Sequence, residues 1–569
     1  MYDEVKELEE TDLWTLYQHG VDYNHRMGMY TKTDKNHQMY NGNQWEGVEL
    51  GNNSPISINY IKTIVKTKVS TVNQNLWKIV YDTLNFDNRE IIESGKEVCK
   101  LLNKKAEITW ERNKMDDKIK KIVKQAGINS EGIVYNFYDK KVRDIVCQKL
   151  NKNDVIYGDE NNQEIEEQPY IIVKRRMTLI QAKEYAKRLE CSEEEIKKII
   201  VDTEYLEEAG RDTKYEKDNK VTVLTKFYKN SGIVYYQIGT RFADITKNTK
   251  TGYTRYPIQH FIWEDFEGSA RGVGEVEQHI SNQLEVNKSA TRRAFVGKNI
   301  AYPHPIINTE LVTNKEAIKK PGATIEIGGT NKNVDDVKKA FGYTQVASMS
   351  SDVKELQNEL ITLDKELAGA GDAATGNINP ETASGRAILA MQEAANQPMI
   401  EQISALKQFI EEIALCWIDM WVANAGYSIR LIDEEMEDET GKINYIVKEI
   451  PTILIKNMNP TVKIEITAKS AYDKYAKEQS LENLANSSLF LPQNAQMLED
   501  YIELLDDDAN MPKATLLRLV KKRKERQARI AQIKANGQLM QQQVQQYLDQ
   551  ENNLSMMQQP VVENQIENQ

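Results

Sequence analysis

The chain contains 569 residues, of which 40% are hydrophobic and 28% charged, and its formal net charge is −12. This length exceeds what a single hydrophobic core supports, so we expect several packed modules. The acidic balance argues against tight binding of nucleic acid, because basic side chains that neutralise phosphates supply most of that affinity.

Secretion and membrane insertion are also unexpected. The acidic start, MYDEVKELEETDLW, differs from a secretory leader, and the most apolar stretch, 403–425, contains three carboxylates. Four cysteines lie far apart without a CxxC pair, which argues against a disulfide framework: Cys99, Cys147, Cys191 and Cys416. The sequence therefore predicts a soluble cytoplasmic protein with no membrane partner.

The first part of the chain, to about residue 130, is predicted to be mostly helical. Apolar residues recur at helical spacing in 56–72 and 90–126, and lysines occupy the outer face of the second stretch. The pattern then changes to strands, which β-branched and aromatic runs predict at 133–139, 144–150 and 170–177.

Local signals then mark two helix starts and one hairpin. Capping boxes are predicted at Thr178 with Gln181 and at Ser192 with Glu195. The turn of a β-hairpin is predicted at 230–232, where Asn-Ser-Gly separates two apolar runs.

Residues 272–424 have a different order: helix, insert, helix, loop of small residues, helix. The first helix runs to about residue 299, and turns break the insert at 300–345. A third helix, from about 381 to 424, contains Pro398, which should kink it. The second helix, 346–367, has an apolar heptad seam: Val346, Met349, Val353, Leu356, Leu360, Leu363 and Leu367.

The rest of the chain returns to strands and then to helix. Strands are predicted at 427–433, 443–456 and 461–469, and from 471 the pattern is helical before a glutamine-rich tail. The fold class that we predict is α+β.

No motif indicates catalysis or a metal site. The six histidines show neither an HExxH pair nor metal-ligand spacing, and no GxSxG elbow occurs. The GGTNKN segment at 328–333 lacks the GKS/T of a phosphate-binding loop, so we interpret it as a turn. We expect a non-enzymatic protein without a cofactor.

Charged side chains flank the seam of the second helix. Lys354 directly follows a seam position, and Lys365 lies two residues after one. Four carboxylates each precede one: Asp352, Glu355, Glu359 and Glu366. An ordinary amphipathic helix has such solvated shoulders, and a helix packed between neighbours in a ring, with its acidic side toward a lumen, has them too. Both interpretations stay open.

Two basic groups are candidates for partner contacts. The denser one, near the C-terminal end, comprises Lys521, Lys522, Arg523, Lys524 and Arg526. The smaller one, in the insert, comprises Lys315, Lys319 and Lys320. The denser group has no interleaved aromatic residues for base stacking, and a solvated surface remains the alternative for both groups.

Three segments together resemble the portal proteins of tailed phages, especially the type found in phages of Gram-positive bacteria. The first, YNGNQW at 40–45, is similar to the family's Tyr-x-Gly-x-Gln-Trp, and an amphipathic helix follows from Asn59. The second, GVGEVE at 272–277, with Gln283 and Asn287, resembles the entry into the family's first stem helix. The third is the order of elements in 272–424, which resembles the family's stem, clip, stem, tunnel loop and wing.

The resemblance implies an α+β portal fold with wing, helical stem, small α/β clip, long kinked helix and helical crown. It divides the sequence into the N-terminal part of the wing (1–271), first stem helix (272–299), clip (300–345), second stem helix (346–367), tunnel loop (368–380), long kinked helix with the rest of the wing (381–470), crown (471–550) and a flexible glutamine-rich tail (551–569).

The resemblance also implies a dodecameric ring at one capsid vertex, through which double-stranded DNA is packaged and ejected. The stem helices would line the channel with the four carboxylates of the second helix, and the crown would face the capsid interior with the denser basic group. The clip lysines would bind the terminase large subunit and the head–tail adaptor. The tunnel loop would approach DNA through Gly371, Asp372, Thr375, Asn377 and Asn379. Major capsid and scaffolding proteins are further implied partners, and the virion would be assembled in the host cytoplasm.

An acidic chain suits such a conduit. Basic contacts repeated around a ring would hold duplex DNA too strongly for sliding, whereas an acidic or neutral wall lowers friction. Two other functions remain in view. An adaptor or scaffold of the virion usually lacks paired heptad helices around an insert, and a nucleic-acid-processing enzyme needs clustered carboxylates as a metal site.

Overall fold

The computed structural model describes residues 11–45, 55–83, 89–202, 220–301, 305–320, 322–328, 335, 341–343, 352–369, 397–437, 443–458 and 460–468, with scattered positions between 520 and 546. The chain divides into two units, 1–467 and 468–569. The first unit mixes helices and strands, in agreement with the predicted α+β class.

The N-terminal half contains helices and the larger sheets. Its helices are α1 (Leu13–Arg26), α2 (Met29–Asn41), α3 (Ile61–Val72), α4 (Arg89–Asn113), α5 (Met115–Asn129), α6 (Leu179–Arg188) and α7 (Glu193–Lys198). Its strands are β1 (Asn75–Asp82), β2 (Glu131–Asp139), β3 (Asp144–Leu150), β4 (Val155–Tyr157), β5 (Tyr170–Thr178), β6 (Lys220–Asn230), β7 (Ile233–Gly239), β8 (Asp244–Lys250) and β9 (Ile258–Ile262).

The C-terminal half of the first unit is built on three helices. These are α8 (Glu275–Ala301), α9 (Asp352–Leu367) and α10 (Ile400–Asn424). The remaining elements are β10 (Pro305–Ile307), β11 (Phe341–Tyr343), β12 (Ser428–Glu437), β13 (Ile443–Pro451), α11 (Thr452–Met458) and β14 (Thr461–Ala468).

Two antiparallel sheets form the centre of the N-terminal half. One has the strand order β4-β5-β6-β7-β8, and the other has the order β3-β2-β9. The predicted hairpin is confirmed, since Ser231 and Gly232 join β6 to β7 with φ of 53° and 76°. Two positive φ values are typical of a type I′ turn, whose twist matches that of the strands.

Both predicted helix starts have their N-cap, but only the first of the two predicted capping boxes is complete. The side chain of Thr178 accepts from the Gln181 amide, and the Gln181 side chain accepts from the Thr178 amide, so the first capping box is complete. At the second, Ser192 Oγ accepts from the Glu195 amide at 3.3 Å, while Glu195 Oε2 accepts from the Asp244 amide.

Helix α10 lies in the largest core, against β9, β2 and β3. Trp417 and Trp421 are buried on it, and the Trp421 indole donates to Asp144 Oδ1 at 2.8 Å. Asp419 accepts from the amides of Thr254 and Arg255, so this carboxylate anchors a loop. Among the helices within the described ranges, none is long and apolar enough to cross a membrane.

Besides the position of Pro398, three parts of the secondary structure differ from the prediction. Residues 75–82 form β1, paired with β14, within a part predicted to be helical. The helix predicted over 90–126 is broken at Lys114, whose φ is 51°, so α4 and α5 are separate. Residues 452–456 form helix α11 rather than strand, because the chain leaves β13 at Pro451 and Thr452 Oγ1 turns back to donate to Gly426 O.

Pro398 does not lie inside the helix that was predicted to contain it. It belongs to a 3₁₀ turn, Gln397–Met399, and α10 begins directly after it at Ile400. Proline lacks an amide hydrogen and its ring collides with the preceding helical turn, so it is better placed before a helix than within one. The predicted start near 381 lies outside the described residues.

Candidate functional site

Two glycines bring the chain into α8 through a crowded passage. Gly272 has a φ of +62°, and a Cβ there would lie 2.4 Å from the Glu264 carbonyl oxygen. A Cβ on Gly274 would lie 2.7 Å from the Ser130 amide nitrogen. Both positions therefore require glycine, and α8 begins one residue later at Glu275.

The buried side of α8 carries a polar stripe, in which every fourth side chain is polar. Its five members are all less than 9% exposed: Glu275, His279, Gln283, Asn287 and Thr291. Steps of four drift by about 40° on a helix that advances 100° per residue, so the stripe winds around α8. An apolar stripe lies beside it, with Val276 and Ile280 buried and Leu284 partly buried.

The C-terminal half of the polar stripe binds the backbone before α3. Gln283 Oε1 accepts from the amides of Tyr60 and Ile61, both at 3.2 Å, and its Nε2 donates to Ile58 O at 2.6 Å. Asn287 Oδ1 accepts from the Ile58 amide at 2.9 Å. These side chains satisfy backbone groups that have no strand partner, and so they fix α3 to α8.

The segments that resemble portal proteins meet at this place. Asn287 Nδ2 donates to Gln44 Oε1 at 2.6 Å, and Gln44 Nε2 donates to Met39 O. Asn59 Nδ2 donates to Tyr40 O, while its Oδ1 accepts from the Lys62 amide at the start of α3. Gln44, Asn59 and Asn287 are thus parts of one hydrogen-bonded junction.

The N-terminal half of the stripe forms an ionic cluster that joins three helices. His279 on α8 contacts Glu275 Oε1 through Nε2 at 2.9 Å and both carboxylate oxygens of Asp364 on α9 through Nδ1 at 3.0 Å. Lys68 on α3 contacts Glu275 Oε1 at 2.6 Å. We call Lys68, Glu275, His279 and Asp364 the clasp.

The clasp is built for a protonated histidine. Burial lowers the pKa of His279, but hydrogen bonds to Asp364 and Glu275 raise it to about 9. Burial also raises the pKa of both carboxyls, but His279 holds the pKa of each below its ordinary value. Two cations therefore balance two anions at neutral pH, with both imidazole nitrogens donating.

Helix α9 packs on α8 with polar residues and with one seam residue, Leu360, which contacts the core cluster that contains Val276 and Ile280. Gln357 and Asp364 are 4% exposed, and Arg293 donates to Gln357 Oε1 at 2.8 Å. Leu356 and Leu363 are 54% and 49% exposed. The facing surface of α8 carries the polar stripe beside apolar residues, so polar side chains of α9 pack there together with Leu360, while Leu356 and Leu363 stay open to another partner.

The predicted channel carboxylates form a separate face of α9. Glu355, Glu359 and Glu366 are exposed, and at 100° per residue they lie within about 40° of one another. The same geometry places them opposite Gln357 and Asp364. The side chain of Asp352, the first residue of α9, lies outside the described residues.

The other predicted site residues are only partly described. Lys315 and Lys320 are exposed at a 3₁₀ turn, Lys315–Lys319, and Asn314 Nδ2 donates to Thr324 O beside it. Arg523, Lys524 and Arg526 are helical and exposed in the second unit. The tunnel-loop residues Gly371, Asp372, Thr375, Asn377 and Asn379, and Lys521 and Lys522, lie outside the described residues.

The described part of the chain contains no group of histidine, cysteine and carboxylate side chains that could hold a metal ion. Among curated proteins no relative matches the chain. The sequence does match the Phage P22-like portal protein family over residues 21–569, which include all the segments above. Portal proteins are structural components of the virion and not an enzyme family. The predicted tailed-phage portal identity is therefore confirmed. Its assignment to the type found in phages of Gram-positive bacteria stays a prediction. The chain belongs to the P22-like phage portal protein family.

Proposed function

We propose that the chain forms a dodecameric ring at one capsid vertex, through which double-stranded DNA is packaged and ejected. The family match implies assembly into a capsid-associated ring. The observation that supports the channel is the division of α9 into three faces: a polar face on α8 that also includes Leu360, a leucine seam left open at Leu356 and Leu363, and an acidic face.

The leucine seam is the proposed contact between neighbouring subunits. Leu356 and Leu363 lie one heptad apart and are about half exposed. Apolar side chains repeated at this interval pack well against a second helix, and burying them removes apolar surface from water. Phe295 and Ile300 on α8 are also exposed and offer matching apolar surface for the next copy.

The seam is tested by replacing Leu356 and Leu363 together with asparagine. Because both side chains are half exposed in the single chain, the variant should fold, and its rings should dissociate at protein concentrations where wild-type rings persist. Mass photometry measures the ring population. A control replaces Ile180 and Ile200, which are 72% and 50% exposed, with asparagine. Seam-variant rings as stable as those of wild type would contradict the assignment.

The acidic face is the proposed channel wall. With the seam against a neighbour and the polar face on α8, the side that carries Glu355, Glu359 and Glu366 is left for the lumen, where carboxylates would repel phosphates and prevent adhesion. Asp352 is proposed to extend this face by one turn.

Charge reversal tests the wall. A Glu355→Lys, Glu359→Lys and Glu366→Lys variant should assemble into rings but package DNA more slowly, because each subunit then adds three attractive contacts to the passing duplex. The measurement is the amount of nuclease-protected DNA against time. A triple glutamine variant separates lost repulsion from added attraction. Wild-type packaging kinetics in the lysine variant would exclude the lumen position.

The remaining assignments follow the resemblance. The clip, with Lys315, Lys319 and Lys320, is proposed to bind the terminase large subunit and later the head–tail adaptor. The loop around 371–379 is proposed to approach the DNA, and deleting part of it should impair packaging more than ring assembly. The basic group at 521–526 is proposed to lie in a crown facing the capsid interior, and major capsid and scaffolding proteins are the proposed partners during assembly in the host cytoplasm.

A further inference from the structure

A cavity of about 310 Å³ lies between the N-terminal helices and the loop that leads into α8. Its walls come from α1 and α2, from the end of α5, from β4 and from the loop at 266–273. A cavity of this volume is large enough for a small molecule. Its lining includes no residue of the clasp, of the leucine seam or of the acidic face, so it is a separate feature of the fold.

The opening of the cavity is apolar. Met27 and Phe266 line it, and each is 57% exposed. The apolar lining continues inward with Met29 and Ile156, which are buried. Exposed apolar side chains beside a concave surface favour a ligand with an apolar part, because covering them removes apolar surface from water.

The wall formed by the loop at 266–273 is held by hydrogen bonds. Gln163 Nε2 donates to Ser269 O at 3.1 Å, and the Ala270 amide donates to Glu160 O at 2.7 Å. At the end of the loop, Gly272 has the left-handed backbone described above. The cavity is therefore formed before a ligand binds, which lowers the entropic cost of binding.

Arg271 is the charged residue most deeply built into the lining. It pairs with Glu131, whose side chain is fully buried, and Tyr157 donates its hydroxyl to the other oxygen of that carboxylate at 3.0 Å. The guanidinium also donates to Lys152 O and Val155 O. Three of its five N–H groups thus have acceptors among the described residues, and two are left for a ligand.

Lys152 is a second cation of the lining, and it has no ion pair in the part of the chain that the structure describes. Its ammonium donates to Asn129 O at 2.8 Å and to Ser130 Oγ at 2.7 Å, which are neutral groups, and one N–H remains. Burial lowers the pKa of Lys152 to about 8, although Glu131 raises it, and the charge of Arg271 lowers it further. An anion in the cavity would favour the charged form of Lys152 again.

Asn129 adds an acceptor beside these donors. It lines the cavity and is 5% exposed, and its Nδ2 contacts His37 Nε2 at 2.8 Å. Its Oδ1 is buried and has no hydrogen-bond partner among the described residues. A buried acceptor without a donor is costly, so this oxygen favours a ligand that carries an N–H group next to its anionic group.

We propose that the cavity binds an apolar amino acid, either free or as the last residue of a polypeptide. The carboxylate accepts from Lys152 and Arg271, and the nitrogen on the adjacent carbon donates to Asn129 Oδ1. The apolar side chain packs against Met27 and Phe266 at the opening. The occupied cavity ties α1 and α2 to the loop that enters α8, and binding therefore stabilises the folded chain by mass action.

The remaining charges of the lining favour the free amino acid of the two sources. Lys32 and Glu277 pair with each other at 3.3 Å. Glu160 also lines the cavity and has no ion-pair partner among the described residues. A free amino acid brings an ammonium group that lowers the cost of this carboxylate, whereas the amide nitrogen of a polypeptide is neutral.

The test is a titration of the full-length protein with four small molecules, followed by saturation-transfer NMR of the small molecule. Leucine and N-acetyl-leucine carry both the carboxylate and the nitrogen, and they represent the two sources. N-acetyl-leucinamide lacks the carboxylate, and isocaproate lacks the nitrogen. Binding is measurable whether or not rings form, so the result is independent of the proposed function.

We expect leucine, N-acetyl-leucine or both to bind. Relative to the tighter of the two, N-acetyl-leucinamide should bind about tenfold more weakly or worse, and isocaproate about threefold more weakly or worse. Tighter binding of leucine identifies a free amino acid as the ligand, and tighter binding of N-acetyl-leucine identifies the end of a polypeptide; either result supports the site.

Two variants locate the binding. Lys152→Met should weaken it about tenfold, and its control is Lys229→Met, a half-buried lysine outside the cavity that pairs with Glu166. Phe266→Ala should weaken it about threefold, and its control is Phe242→Ala, a phenylalanine that is 48% exposed elsewhere. Because Phe266 is exposed, its variant keeps the fold even if Lys152→Met does not, and circular dichroism checks both.

Three outcomes would overturn the inference. The first is that neither leucine nor N-acetyl-leucine binds. The second is that N-acetyl-leucinamide binds as tightly as they do, which would mean that no carboxylate is recognised. The third is that Phe266→Ala binds as wild type does, or that the control variants lose as much affinity as the cavity variants, which would place the binding elsewhere.

Discussion

Replacing His279 with glutamine should weaken the attachment of α9 to α8 by an amount that depends on pH. Raising the pKa of a histidine from 6.5 to about 9 corresponds to about 3 kcal/mol at 1.36 kcal/mol per unit. Breaking a buried pair by removing one partner costs a similar amount, about 3–5 kcal/mol. Glutamine keeps hydrogen-bonding capacity but no charge, so we expect a loss of about 3 kcal/mol near pH 6.

The sign of the pH dependence follows from the direction of the shift. Because the folded-state pKa of His279 is raised, its contribution is complete below 6.5 and is lost as pH rises through about 9. The carboxyls of Glu275 and Asp364 have lowered pKa values, so their contribution is present above their ordinary values and is lost as pH falls. Wild type and variant should therefore differ most between about pH 5 and 6.5 and converge above about pH 9.

The assay is urea unfolding of both full-length proteins across this pH range, with hydrogen exchange of peptides from α8 and α9 to locate the change. His19, which is exposed on α1, provides the control as His19→Gln. A difference that stays constant from pH 6 to above pH 9, or that His19→Gln reproduces, would refute the argument that a charged His279 holds the two helices together.

Three further substitutions test the entry to α8, its junction with α3 and the core around α10. Gly272→Ala should destabilise by about 2–4 kcal/mol in urea unfolding, since it combines a left-handed φ with a methyl 2.4 Å from a carbonyl oxygen; a neutral result would mean that the loop shifts freely. Gln283→Met keeps the side-chain volume but leaves the Ile61 amide without its acceptor. We therefore expect the free energy of unfolding to fall by about 2–4 kcal/mol and hydrogen exchange in the first turn of α3 to become faster. Unchanged hydrogen exchange there would contradict this role. Burial raises the pKa of the Asp144 carboxyl, but Lys105 and the Trp421 indole lower it overall, so this carboxylate stabilises the fold until acid protonates it. Asp144→Asn should therefore make the free energy of unfolding less sensitive to acid, which urea unfolding at pH 3–5 measures. An unaltered acid profile would refute this role.

Features determined by neighbouring residues could be predicted from the sequence. The turn at 230–232 and the cap at Thr178 involve only adjacent positions, and both are present as predicted. Strand β1 was missed, although Trp77, Ile79 and Tyr81 are buried in alternation, a strand period that could have revealed it. Its partner β14 lies at the other end of the unit, and such a pairing leaves no local signal.

The site residues that belong to a recognisable motif were predicted from the sequence. Those that are distant in sequence and meet only in the folded chain were missed. Gln283 and Asn287 were chosen by resemblance, and the structure supplies their physical role as acceptors for the backbone before α3. His279 was dismissed because it had no metal-ligand spacing. Its partner Asp364 is 85 residues away. It lies in a helix whose heptad pattern predicts contacts through the leucines and gives no sign of an ionic contact.

The ionic clasp between α8 and α9 has a consequence for the ring. Apolar contacts are non-directional, so two leucine-lined helices can slide or rotate against each other at little cost. The clasp, by contrast, is satisfied in one register only, because turning α9 by one residue would separate Asp364 from His279 and leave His279 Nδ1 buried without its acceptor. With that register fixed, the directions of Leu356 and of Glu359 are fixed too. A hydrophobic replacement of the clasp should therefore preserve stability and yet lose the uniform orientation of seam and acidic face on which a symmetric channel depends.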